Sequence, residues 1–90
     1  MTYNYGSPIT GTLTGTTAVV NVPNVVYPAS LVLNSSNGSR AIQFSFDGGA
    51  TYYAAVTPTY TETSQIVYVL NFPVTTVKFT GAAADTYRIL

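Results

Sequence analysis

Three carboxylates, Asp47, Glu62 and Asp85, carry whatever acid/base chemistry this chain has. It contains no His and no Cys, so the commonest general base, a thiolate nucleophile and the usual zinc ligands are all missing. Hydrolysis of a glycosidic bond by carboxylates alone needs two of them roughly 5 to 10 Å apart across the bond. Asp47 precedes Gly48-Gly49 in a turn, where its oxygens are expected to accept from backbone N–H groups. Glu62 and Asp85 fall in two separate predicted loops, and no spacing brings them together. Catalysis is therefore not expected. Asp47 with the carbonyls of its turn supplies part of a calcium shell at best, and a self-capped turn is the simpler reading. No metal or cofactor is expected.

The elements that must position these residues are strands. Helical spacing of apolar residues is absent, whereas alternation and β-branched runs recur, punctuated by Gly, Pro, Asn and Ser. Residues 9–14, 17–22, 29–33, 40–46, 51–56, 65–70, 74–79 and 86–90 read as about eight short, mainly antiparallel strands. That predicts an all-β domain over 9–90, a small β-sandwich or a jelly-roll-like fold, with residues 1–8 as an extended N-terminal arm. In "RAIQFSF", Ile42, Phe44 and Phe46 share one face and Ala41, Gln43 and Ser45 the other. Asn37-Gly38 signals a turn. "TYTETS" reads as a polar surface loop, and the nearly continuous apolar run "QIVYVL" as a central strand covered on both sides.

Ninety residues suffice for one such domain. The charged residues, Arg40, Asp47, Glu62, Lys78, Asp85 and Arg88, are scattered singly with a formal net charge of zero. No basic patch offers itself to nucleic acid, and no segment is long and apolar enough to span a membrane. The N-terminus lacks the basic-then-apolar pattern of a secretory leader, so synthesis in a host cytoplasm without a signal peptide is expected. So little charge puts up little repulsion against association and suits a chain that works inside an assembly.

Residues 45–52, "SFDGGATY", resemble the Asp-box, a hairpin signature of sialidases and other glycosidase propellers. The resemblance implies structural roles for Ser45, Asp47, Gly49, Thr51 and Tyr52: a carboxylate that satisfies turn N–H groups, a glycine with a left-handed backbone, and an aromatic ring packed beneath. Tyr52 stands where Trp is usual. In sialidases these boxes lie away from the active site, which uses an arginine cluster, a Tyr nucleophile and a Glu. With only Arg40, Arg88 and Glu62 to draw on, this chain reads as carrying the hairpin without that chemistry.

Eight tyrosines and no Trp suggest a surface that makes contacts. Tyr3, Tyr5, Tyr27 and Tyr60 fall in predicted loops or the arm, and exposed Tyr adds contact area at small entropic cost. They are the candidate interface residues, either against protein neighbours or, stacked on sugar rings, in a carbohydrate- or receptor-binding module. Tyr52 and Tyr53 point to opposite faces of one strand and cannot form a single platform. Asn34-Ser35-Ser36 and Asn37-Gly38-Ser39 match the glycosylation pattern but read as turn residues.

Taken in order, "GTLTGTTAVVNVP", "ASLVLNSSNGSRAIQFSFDGG", "VYVLNFPVTTVKFTG" and "YRIL" resemble the small all-β virion proteins of tailed bacteriophages, from about Gly11 to Leu90. That resemblance implies a capsid decoration or cement subunit on the virion surface, with the major capsid protein or other virion subunits as partners and possible homo-oligomers. Neck, tail or baseplate accessory subunits share the same chemistry.

Overall fold

The computed structural model describes residues 9–22, 28–35, 40–54 and 60–90, the side chains of Tyr60 and Glu62 excepted. Nine strands occur among them: β1 (Ile9–Thr12), β2 (Thr17–Asn21), β3 (Ala29–Asn34), β4 (Ala41–Ser45), β5 (Tyr53–Ala54), β6 (Tyr60–Glu62), β7 (Gln65–Leu70), β8 (Thr76–Thr80) and β9 (Thr86–Ile89). They form two sheets, ordered β1-β9-β3-β7-β6 and β2-β8-β4-β5, in which every pairing is antiparallel. The predicted all-β sandwich is the observed architecture.

Strand partners nest from the outside inward: β1 with β9, β2 with β8, β3 with β7, β4 with β5. This is one long antiparallel ribbon rolled over two layers, the strand arrangement of a jelly roll, with β6 added as an extra edge. Only the β4–β5 and β6–β7 connections stay within one sheet.

Alternation along the strands supplies the core. Leu31 and Leu33 on β3, Ile66 and Leu70 on β7, and Ile89 on β9 face Ile42 and Phe44 on β4 and Val77 and Phe79 on β8, with Leu13, Val22 and Val74 closing the ends. Gly11 pairs with Tyr87, and a methyl group added at Gly11 would run into the Tyr87 hydroxyl and ring. Tyr87 in turn stacks on Phe79 at 4.8 Å between ring centroids. A glycine in an edge strand thus lets a ring lie flat over the core and fill the place of its missing side chain.

Three expectations need correction. "TYTETS" is not a loop: Tyr60–Glu62 is a strand that turns at Thr63-Ser64 and pairs with β7, Glu62 opposite Gln65. It is polar because an edge strand facing water has no second neighbour to pack against. β7 is not covered on both sides; Gln65, Val67 and Val69 are half-buried on the outer face of a two-layer structure. In "RAIQFSF" the alternation stops at the strand end. Ser45 is fully buried while Phe46 is 50% exposed, because the chain turns there and folds its hairpin around the Ser45 hydroxyl. The predicted arm, residues 1–8, and the Asn37-Gly38 turn lie outside the described residues.

Candidate functional site

The β4–β5 hairpin gathers Ser45, Asp47, Gly49, Thr51 and Tyr52. The Ser45 hydroxyl donates to Asp47 Oδ1 at 2.6 Å and accepts from the N–H groups of Asp47 (3.2 Å) and Gly49 (2.9 Å). Asp47 Oδ1 also accepts from Thr51 N–H at 2.9 Å. Gly48 and Gly49 have φ of 77° and 99°, a region that side-chain-bearing residues seldom adopt. The Tyr52 hydroxyl oxygen lies 2.9 Å from where a Gly49 methyl group would be, so the ring closes under the turn. Lys78 Nζ sits 4.9 Å from the centroid of the Tyr52 ring, within cation–π range.

One anchor of this hairpin escapes any local reading of the sequence. The Thr75 hydroxyl accepts from Gly48 N–H at 2.8 Å and donates to Ser45 O at 3.1 Å, and Thr75 N–H bonds the same carbonyl at 2.9 Å. Thr75 is 30 residues from Ser45, and only the β4–β8 register brings them together. The Ser45 hydroxyl and then the Thr51 N–H hold the Asp47 carboxyl below its ordinary range.

Asp85 is also built into a turn. It accepts from Ala82 N–H at 2.6 Å, while the buried Ser35 hydroxyl and that N–H together lower its pKa. Around it Leu13 N–H bonds Asp85 O, and Ala84 N–H bonds Leu13 O. Ala84 carries φ of 73°, uncommon for a residue with a Cβ.

The carboxylates do not converge. Asp47 lies at the Thr75 end of β8 and Asp85 beside Gly81 at the other, about 20 Å away at roughly 3.3 Å per residue. Glu62 stands in register with Gln65, Asn34 and Thr86, three strand spacings from the residue after Asp85, or about 14 Å between backbones. Among the described residues no three acidic side chains cluster as metal ligands would. Arg40 bonds the carbonyls of Ser35 and Thr63 at 2.7 and 2.8 Å, and Arg88 is exposed on β9, so the two guanidiniums serve different places.

The exposed chemistry is aromatic. Phe46 and Tyr53, 50% and 53% exposed, lie 5.7 Å apart, and Phe46 lies 5.7 Å from the half-buried Phe72. All three rings rest on Phe44, at 5.8, 6.4 and 5.2 Å, and Phe44 also stacks on Tyr68 at 6.1 Å. Sequence reasoning missed this patch because Phe46 belongs to a core-facing alternation and Phe72 to a strand break. The candidate interface residues Tyr3, Tyr5 and Tyr27 lie outside the described residues. Tyr60 lies on β6 rather than in a loop, and its side chain is outside them too. Asn34, the first glycosylation-pattern residue, accepts from Gln65 Nε2 at 2.9 Å and donates to Thr86 Oγ1 at 3.3 Å, a polar ladder across three strands. Comparison with protein families, with curated proteins and with solved structures finds no match to this chain, so its function is argued from this geometry.

Proposed function

We propose that the chain is a viral structural protein, a decoration or cement subunit that binds and stabilises the capsid lattice of a tailed bacteriophage. The aromatic patch of Phe46, Tyr53 and Phe72 carries the reading. Rings half open to water and backed by a rigid core ring are the kind of surface protein interfaces prefer. The polar groups of the hairpin are turned inward on the fold itself, and the surface holds few charges to oppose close approach. Jelly rolls serve in capsid proteins, a fold-level analogy that adds modest support. A neck, tail or baseplate subunit would use the same surface at lower copy number.

The same rings favour a second reading, a carbohydrate- or receptor-binding module, since jelly rolls also serve as lectins and aromatic faces stack on sugars. Phe46→Ser and Tyr53→Ser separate the two. On the virion reading both variants stay folded and lose occupancy of particles that lack the native subunit, while a glycan array stays blank. Full occupancy by the double variant, or glycan binding lost in it, overturns the virion reading.

A further inference from the structure

Among the described residues, the four sheet edges differ in how well they are guarded. β5 has two residues, β6 has three and contains Glu62, and β1 is interrupted by Gly11. β2 is the longest, five residues reading "TAVVN", without charge, Pro or Gly, and its Val19 is 59% exposed. Natural edges are usually blunted by one of those devices.

The register shows which backbone groups this edge presents. Gly81 N–H bonds Thr16 O and Val22 N–H bonds Thr75 O. Alternation therefore turns Ala18 and Val20 toward β8, and points the N–H and C=O of Thr17, Val19 and Asn21 away from it. Three donors and three acceptors are spaced symmetrically about Val19.

We infer that β2 is a homodimer interface, pairing antiparallel with β2 of a second copy about a two-fold axis at Val19. Val19 then faces its own counterpart, and Thr17 faces Asn21 of the other copy, in a continuous eight-stranded sheet. An isologous contact sets each charge against itself, and this strand has none. Lys78, the nearest, pairs with Val19 from β8, so its two copies stand three strand spacings apart, about 14 Å. That exceeds the roughly 8 Å screening length at physiological salt. Any extended strand presents matching backbone groups, so the choice of a second copy rests on the absence of self-opposed charge along this edge. The inference does not rest on the virion reading.

Sedimentation equilibrium of the full chain from about 1 μM to 1 mM, with hydrogen exchange at both limits, tests it. The wild type is expected to approach 19 kDa, twice the 9.5 kDa chain. Amides of Thr17, Val19 and Asn21 should exchange at least about tenfold more slowly at the high concentration, while Ala18 and Val20 stay protected at both. Val19→Pro removes only an outward N–H and should stay folded at 9.5 kDa. Val19→Lys, which places like charges face to face, should do the same and serves if the proline variant fails to fold. A wild type monomeric throughout overturns the inference, whether those amides are protected by another segment or free. So does a dimer that persists in a folded Val19 variant.

Discussion

Ser45→Ala tests the hairpin most severely, because one hydroxyl holds three partners. Its loss leaves the N–H groups of Asp47 and Gly49 without their acceptor beside a fully buried position. A buried donor left unsatisfied costs about 1–3 kcal/mol. Asp47 and Gly48 at the tip are exposed, so water can reach part of the site, and the low end of that range, about 1–1.5 kcal/mol, applies to each. The expected destabilisation is about 2–3 kcal/mol. For a domain of this size, that lowers Tm by roughly 10–20 °C. Urea unfolding followed by tyrosine fluorescence should show a lower midpoint with an unchanged slope, since the surface exposed on unfolding is the same. Thr75→Val, which removes only the second anchor, should cost about 1 kcal/mol. Thr14→Ala, at an exposed turn residue, should stay within about 0.5 kcal/mol of wild type. If Ser45→Ala matches Thr14→Ala, the hairpin does not depend on this hydroxyl and the reasoning fails.

Further substitutions probe the other local devices. Gly11→Ala drives a methyl group into the Tyr87 ring, which its stack on Phe79 keeps from yielding freely, and should cost about 1–3 kcal/mol. Combining it with Tyr87→Leu should recover part of that loss in a double-mutant cycle, and strict additivity would show that the two do not interact. Ala84→Gly should stabilise by about 0.5–1 kcal/mol by relieving a left-handed Ala, and a loss of stability in urea would contradict the strain. Asp47 and Asp85 have pKa values lowered in the folded state, so their contribution is complete above the unfolded carboxylate value near 4. It is lost as pH falls through the lower folded values. The urea midpoint should hold from about pH 7 to 5 and then drop, less steeply in Ser45→Ala, and a midpoint that rises on acidification would refute the assignment.

The fold was legible where local signals and burial coincide. Val77 and Phe79 face the core as their alternation requires, and the Asp47-Gly48-Gly49 turn stands where the glycines put it. What local patterns cannot carry is partnership across the chain. Thr75 anchors a hairpin 30 residues away, and a threonine before a strand looks the same with or without such a partner. The polarity of "TYTETS" reads as a loop, but an edge strand is polar for the same physical reason a loop is. The aromatic patch was hidden for a related reason. Phe46 continues a core-facing pattern past the end of its strand, and Phe72 joins it only because the β7–β8 connection returns to the same end of the sandwich. The nested pairing of a jelly roll likewise depends on contacts between strands up to 80 residues apart, as in Ile9 opposite Ile89.

The central claim, that this chain works by covering a neighbour's surface in a virus particle, is tested most directly by counting it there. Particles from the native source would be banded on a density gradient and the copies of this chain per particle measured by quantitative mass spectrometry. Copy numbers close to that of the major shell subunit are the predicted result, and a few copies per particle would move the subunit to the neck or tail. Recovery solely among free proteins would contradict the account.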